Sequence, residues 1–192
     1  NGFSGLRRYT LPDKLINSKM YNHHFAVVSL SQDQKKLFTF KDNKLYEISL
    51  EERSFNEPTK LKIKKFDHYQ NHAFLTKDEK TLFFTSDFEG GLGGTDIYQT
   101  TKDEKGEWTT PINLGAPINT PFNEDAPFLD SDSTFYFASE GHPGFGNYDI
   151  FKSRLEDGKW LTPTNLGKPV NTTAHDIFLV MDSTHSVGYF SS

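Results

Sequence analysis

Four pairs of adjacent polar residues recur along the chain and could carry chemistry. They are His23-His24, Asn71-His72, Glu124-Asp125 and His175-Asp176. Imidazole and carboxylate groups together suit divalent cations, so the pairs could form a metal or ligand site. The same groups can satisfy one another as a hydrogen-bond network between neighbouring elements, and we favour that interpretation. We therefore expect a polar binding cluster with no bound metal and no cofactor, which a Zn²⁺ or Ca²⁺ titration during thermal melting would test.

Two aspartates occupy matching positions 53 residues apart. Asp96 follows Gly-Gly-Thr and Asp149 follows Gly-Asn-Tyr, and each precedes Ile and an aromatic residue. A carboxylate in this position could be a metal ligand. A catalytic or ligating residue is usually needed once, however, and a short Asp side chain commonly accepts N–H bonds from an adjoining turn. The repetition therefore favours a structural role for both residues.

Two tryptophans repeat with a proline three residues later: Trp108 with Pro111, and Trp160 with Pro163. Exposed tryptophans could stack on sugars, but repeated aromatic residues at the start of a strand more commonly cover a core. A proline lacks the ladder N–H and therefore favours an edge strand. His142, in Gly-His-Pro-Gly, is expected at an exposed loop tip, where it could contact a partner.

An internal repeat of about 52 residues must position all of these groups. Gly-x-Trp-x-x-Pro-x-Asn-Leu-Gly occurs at 106–115 and again at 158–167, and Pro-Ile-Asn-Thr at 117–120 returns as Pro-Val-Asn-Thr at 169–172. In the better copy the pattern predicts strands over 126–129, 134–139, 148–155 and 160–165, with a hairpin turn at 156–158. The second strand is continuously apolar, as expected for an inner strand.

Repeats of four strands, with an inner apolar strand and an edge-like last strand, are typical of β-propeller blades. The predicted fold is all-β, with blades of four antiparallel strands over 22–63, 71–119 and 124–171. Residues 7–17 match only an outer strand, and 175–192 match only the first half of a blade. We therefore expect the chain to be part of a larger propeller, with the polar pairs at one mouth of its channel.

The repeat resembles the TolB-like, or WD-repeat-like, periplasmic β-propeller family, in the variant abundant in Bacteroidetes envelope proteins. The resemblance rests on Asp-Ile-Tyr or Asp-Ile-Phe after a glycine-rich loop and on the Gly-x-Trp-x-x-Pro-x-Asn-Leu-Gly-x-Pro-Ile-Asn-Thr segment; it is strong over 69–192 and looser over 7–68. Such propellers often lie beside tetratricopeptide repeats and an OmpA-like peptidoglycan-binding domain, and some serve type IX secretion. The resemblance implies a periplasmic interaction module associated with the outer membrane.

Composition narrows the classes of partner. The 192 residues include no Cys, 18 Phe, 21 Lys and Arg, and 26 Asp and Glu, for a net charge of −5. Nucleic-acid binding is disfavoured because it calls for clustered cations. No stretch approaches the roughly 18 apolar residues of a membrane span. Among the remaining classes, the resemblance implies envelope proteins as partners, with a glycan or peptidoglycan as the alternative.

Enzyme motifs are missing from the sequence. The Gly-x-Ser-x-Gly elbow of serine hydrolases is absent, since Gly-Phe-Ser-Gly at 2–5 misses it by one residue. Four arginines, two of them adjacent, are too few for the arginine cluster of a sialidase. A glycosidase that uses two carboxylates stays open because the acidic residues are numerous. We expect a non-catalytic, protein-binding scaffold, with a carbohydrate-binding propeller as the alternative.

Overall fold

A computed structural model describes residues 25–31, 35–42, 44–51, 54–130, 133–181 and 187–192. Every regular element in these ranges is a β-strand, and all the strands pair antiparallel, which confirms the predicted all-β class. The chain divides into two compact units, Asn1–Leu61 and Lys62–Ser192. No helix among the described residues is long and apolar enough to cross a membrane. The predicted strand over 7–17 lies outside the described residues.

The first unit contains one sheet, called sheet 1. Its strands are β1 (Phe25–Leu30), β2 (Lys36–Lys41), β3 (Lys44–Glu51), β4 (Ser54–Phe55) and β5 (Thr59–Lys60), with β4 and β5 both paired to β3. Phe38, Leu45 and Ile48 are almost completely buried. The inner strands β2 and β3 therefore supply the core of this unit.

The second unit contains three sheets. Sheet 2 is β6 (Asn71–Leu75), β7 (Thr81–Ser86), β8 (Asp96–Thr101) and β9 (Ile112–Asn113); sheet 3 is β10 (Glu124–Leu129), β11 (Thr134–Ser139), β12 (Asp149–Glu156), β13 (Lys159–Trp160) and β14 (Thr164–Asn165); sheet 4 is β15 (Ile177–Met181) and β16 (Gly188–Ser191). Each sheet begins with its first strand in sequence and adds the following strands in chain order. The repeat seen in the sequence is thus a repeat of antiparallel sheets.

Sheet 3 follows the predicted strands closely, except at its outer edge. The inner strand has the predicted bounds, Thr134–Ser139, and five of its six residues are buried. The predicted outer strand over 160–165 is instead two short segments, β13 and β14, with Pro163 between them. The ladder is interrupted over residues 161–163, the last of which is a proline with no N–H to donate, and it resumes at Thr164. The turn between β12 and β13 has positive φ at Asp157 and Gly158, as a tight hairpin requires.

The first strand of each sheet in the second unit carries a β-bulge. The register shifts between Asn71 and Ala73 in β6, and corresponding shifts occur in β10 and β15. The bulges coincide with positive φ values at His72 (24°), Ala126 (50°) and Phe178 (65°). A bulge re-aims side chains and bends its strand. The three bulges therefore change the direction of the side chain at the same position of each repeat.

Sheets 2 and 3 pack face to face through aromatic and branched side chains. Their shared core consists of Phe83, Ile97, Ile118, Phe135, Phe137 and Phe151, each at most 4% exposed. The rings of Phe83 and Phe135 meet across the two sheets with centroids 5.0 Å apart. Aromatic pairs at this separation add to the free energy of apolar burial. Phenylalanine side chains thus fill the space between these two thin sheets.

Candidate functional site

The first strands of sheets 2 and 3 are joined by a side-chain hydrogen bond. His72 Nδ1 in β6 lies 2.6 Å from Asp125 Oδ1 in β10. The same carboxylate oxygen accepts the Thr85 hydroxyl at 2.8 Å and the Ala126 backbone N–H at 2.7 Å. Both side chains of the pair are largely shielded from solvent. Two of the predicted pairs, Asn71-His72 and Glu124-Asp125, are therefore brought together by the fold.

Sheet 4 also contacts His72. The Phe178 ring in β15 meets the His72 imidazole edge-on, with centroids 4.5 Å apart and an interplanar angle of 88°. The first strands β6, β10 and β15 therefore converge at His72, although sheet 3 lies between sheets 2 and 4 in the chain. We call His72, Asp125 and Phe178 the first-strand cluster.

The predicted polar pairs are not equivalent to one another. Strand pairing aligns Asn71 with Asp125 and with Ile177, because these three occupy the same rung of their sheets. The buried polar position just before that rung is held by Gln70, Glu124 and Asp176. Relative to Glu124-Asp125, the pair Asn71-His72 is consequently shifted by one residue in one direction, and the fourth pair, His175-Asp176, by one residue in the other. Equivalent residues at these positions are 54 and then 52 residues apart, so a constant repeat spacing does not reveal the offset.

Glu124 is fully buried and has three donors. Its Oε2 accepts the Thr120 backbone N–H at 2.8 Å, and its Oε1 accepts the hydroxyls of Thr120 at 2.6 Å and Ser139 at 2.7 Å. Burial raises the pKa of Glu124, and these hydrogen bonds oppose the rise. The carboxylate thus ties the entry segment of sheet 3 to its inner strand.

Asp176 repeats this arrangement one sheet later. It is also fully buried, and its Oδ2 accepts the Thr172 backbone N–H at 2.6 Å and the Thr172 hydroxyl at 3.1 Å. Although burial alone would raise it, the pKa of Asp176 is lowered by hydrogen bonds from the side chain of Ser192 and from Thr172. A carboxylate held in this way is a structural clamp.

The remaining predicted binding residues are dispersed. His175 is exposed, and its Nε2 lies 3.2 Å from Asn147 Nδ2. Asn71 donates to the Tyr69 hydroxyl at 3.0 Å. His23 and His24 lie outside the described residues. Only part of the predicted cluster can therefore be located.

His142 does not occupy the exposed loop tip that was expected. Its ring is half-buried against Phe137 and Phe151, with centroids 5.8 and 5.0 Å away, and its Nε2 lies 3.1 Å from the carbonyl oxygen of Ile118. The residue faces inward because the ring fits against the aromatic core beneath the loop. Its neighbour Pro143 is exposed instead.

Asp96 and Asp149 organise the loops that precede β8 and β12. Asp96 Oδ2 accepts the Leu92 N–H at 2.5 Å and the Asn113 side-chain amide at 2.9 Å. Asp149 Oδ2 accepts the backbone N–H of Phe145 in the same way. Both aspartates are 1% exposed. These contacts are the ones expected if each aspartate has a structural role, in which its carboxylate accepts N–H bonds from an adjoining glycine-rich loop.

Two repeated asparagines were not singled out from the sequence. Asn119 accepts the Ile97 N–H at 2.9 Å and donates to the Ile97 carbonyl at 3.0 Å, and Asn171 does the same to Ile150 at 2.8 and 2.9 Å. Each side-chain amide thus makes the two hydrogen bonds that the backbone of a neighbouring β-strand would make. The signal was present in the repeated Pro-Ile/Val-Asn-Thr segment, because an amide carries both a donor and an acceptor.

The tryptophans contribute to packing. Trp108 is 7% exposed and bridges to Ile63 and Lys102. Trp160 is half-buried, with its ring centroid 4.9 Å from that of Phe135. Pro111 immediately precedes β9, and Pro163 precedes β14. These positions place both tryptophan–proline pairs at the outer edge of their sheets.

The polar contacts of Asp125 in the first-strand cluster are hydrogen bonds. Within the described ranges no three His, Asp or Glu side chains converge as ligands for a metal ion. Burial raises the pKa of the Tyr148 phenol, and the carboxylates of Asp125 and Glu140 add to the effect. Asp125 and Glu124 in β10 are thus satisfied by neighbouring donors, whereas the buried Asn71 Oδ1 in β6 has no hydrogen-bond partner among the described residues.

Comparisons with known proteins give one point of reference. No family model matches the chain, and no curated protein matches it. A solved structure that is similar to it is that of a putative TolB from Agrobacterium tumefaciens, at 16% identity and a TM-score of 0.47. The alignment covers 84% of this chain and 67% of that one.

Proposed function

We propose that the second unit is part of a β-propeller of the TolB-like kind, with sheets 2 and 3 as blades and sheet 4 as the beginning of another. The observation that carries this proposal is the contact of His72 in sheet 2 with Phe178 in sheet 4. In a linear stack, sheet 3 would hold the two neighbouring sheets apart. First strands that converge while the outer strands diverge are the geometry of blades around an axis.

The function we propose for this propeller is non-catalytic protein binding. The buried carboxylates of Glu124, Asp176, Asp96 and Asp149 accept backbone and side-chain donors of their own repeat. Repetition of such clamps serves every blade equally, whereas an active site needs a single set of groups. Propellers of this kind offer their loops and channel mouth as contact surfaces, and that is the role we assign.

We place this scaffold in the bacterial cell envelope, in the periplasm and in association with the outer membrane. The support is the resemblance of the repeat motif to envelope propellers, some of which take part in type IX secretion. A binder of carbohydrate or peptidoglycan is the alternative. Both tryptophans are used in packing, Trp108 almost completely, which favours a protein partner over a stacked sugar.

The blade arrangement can be tested by cross-linking, since the chain has no natural Cys. A His72→Cys and Phe178→Cys variant should be joined within one molecule by a short bifunctional maleimide. The control carries Ile112→Cys in the outer strand β9 with Phe178→Cys and should not be joined. Efficient joining of the control pair, or none in the test pair, would contradict a radial arrangement.

The binding role can be tested with an envelope extract and a glycan array used in parallel. Immobilised protein should retain a polypeptide from the extract, and the array should show no selective binding. Selective retention of soluble sugars without a protein partner would overturn the proposed function in favour of the alternative.

A further inference from the structure

Three large apolar side chains are exposed on loops at one end of sheets 2 and 3. They are Leu92 (45% exposed), Phe122 (58%) and Phe145 (51%). Leu92 and Phe145 stand 53 residues apart, at the same position of the repeat. We call these three residues the loop ridge.

The backbone of each ridge residue is anchored by a buried polar group. Leu92 and Phe145 donate their N–H groups to Asp96 and Asp149. The Phe122 N–H donates to the Thr120 hydroxyl at 3.1 Å, and that hydroxyl is itself held by Glu124. The loops are therefore ordered although the side chains they present point into solvent. Such preorganisation lowers the entropy lost when a partner binds.

Close approaches at two glycines place the loops that carry the ridge residues next to one another. A Cβ at Gly93 would lie 1.8 Å from the carbonyl oxygen of Phe122, and a Cβ at Gly141 would lie 3.1 Å from Phe122 Cδ2. Phe122 thus sits between the loop that carries Leu92 and the loop that carries Phe145. Adjoining loops of two sheets thus present three exposed apolar side chains at the same end of the unit, and apolar side chains grouped in this way are typical of an interaction site.

Carboxylates flank the ridge. Asp87 and Glu89 are exposed on the loop of Leu92, and Glu140 accepts the side-chain amide of Asn123, next to Phe122, at 2.6 Å. Lys168 Nζ lies 5.9 Å from the centroid of the Phe145 ring. The surface is therefore apolar and aromatic along its centre and net acidic at its border.

We propose that the loop ridge docks a polypeptide segment in which an apolar or aromatic side chain is flanked by Lys or Arg. The apolar side chain would pack against Phe122 and its neighbours, and the cations would meet the carboxylates and the aromatic faces. The proposal rests on the protein-binding function and names the surface and the chemistry of the partner.

The test uses a random peptide library displayed on phage and panned against the full chain. Peptides with an apolar residue beside Lys or Arg should be enriched, and they should bind more weakly as salt is raised. A ridge variant with Leu92→Ser, Phe122→Ser and Phe145→Ser should lose at least about tenfold in affinity. The matched control, Ile112→Ser with Leu155→Ser, changes equally exposed apolar residues on other strands and should stay within about twofold of wild type.

A second variant tests charge without touching the apolar side chains. Asp87→Asn with Glu89→Gln should weaken the same peptides and reduce the salt dependence of binding. Peptides that bind the ridge variant as well as wild type, or that carry no Lys or Arg, would overturn the ridge proposal while protein binding stands. Failure to enrich any peptide, together with no polypeptide retained from the envelope extract, would overturn both.

Discussion

Replacing Glu124 separates the roles of its shape, its hydrogen bonds and its charge. The side chain is fully buried and accepts two bonds from Thr120 and one from Ser139. The equivalent position of sheet 2 holds Gln70, which is 1% exposed. A glutamine at 124 can keep the backbone bond through its oxygen and donate its amide to the two hydroxyls. An alanine can do neither.

The two substitutions should therefore differ greatly in their effect on stability. Glu124→Ala removes three hydrogen bonds and leaves the Thr120 N–H buried without an acceptor, which costs about 3–5 kcal/mol in the free energy of unfolding. This corresponds to a fall in melting temperature of roughly 6–20 °C for a chain of this size. Glu124→Gln should stay within about 1 kcal/mol of wild type.

The pH dependence gives an independent check on the buried charge. Because burial raises the pKa of Glu124 above its ordinary value of 4.5, the folded protein holds this proton more tightly than the unfolded chain. The stability that follows is fully present below pH 4.5 and is lost as the pH rises through the folded pKa. Glu124→Gln has no proton to lose, so its stability relative to wild type should increase as the pH rises to about 7.

Urea unfolding of wild type and both variants, at several pH values between about 4 and 7, measures these differences. Glu104→Ala, the same change at an exposed turn position, serves as the control for substitution alone. An alanine variant that loses less than about 1 kcal/mol would refute the clamp role of Glu124. A glutamine variant that loses stability relative to wild type as the pH rises would refute the assignment of the pKa shift to burial.

Other substitutions test the packing of the second unit. Gly93→Ala should destabilise by about 1–3 kcal/mol, because its Cβ would lie 1.8 Å from the Phe122 carbonyl oxygen; thermal melting measures the loss, and an unchanged midpoint would refute the close approach. Phe135→Ala should cost about 3–5 kcal/mol in urea unfolding, since its ring is fully buried between two sheets. A double-mutant cycle on His72 and Asp125 should give a coupling of about 1 kcal/mol, and additivity of the single changes would show that their contact does not stabilise the fold.

The repeat made most of the second unit predictable from sequence. The inner strand of sheet 3 has its predicted bounds because alternating turns and a run of apolar residues fix both ends of a buried strand. The outer strand was predicted as one element, but Pro163 divides it. Local propensity indicated an edge strand, whereas the gap in the ladder depends on where the chain can rejoin β12.

The polar groups were harder to predict than the strands. His72 and Asp125 of the first-strand cluster were singled out from the sequence, but Phe178 was not; the contact of His72 with Asp125 follows from the way neighbouring first strands meet. The one-residue offset of His175-Asp176 was not foreseen, because equivalent residues of successive copies are 54 and then 52 residues apart. The inward position of His142 depends on the aromatic core under its loop, which no local motif reveals.

Hydrogen exchange of the free protein and of its complex with an envelope partner tests the proposed scaffold most directly. A propeller that binds through the loop ridge should show protection on binding in 87–95, 120–123 and 140–148, with the outer strands β9, β13 and β14 unchanged. Protection confined to those outer strands, or a partner that protects no backbone amide in the three loops, would contradict the proposal.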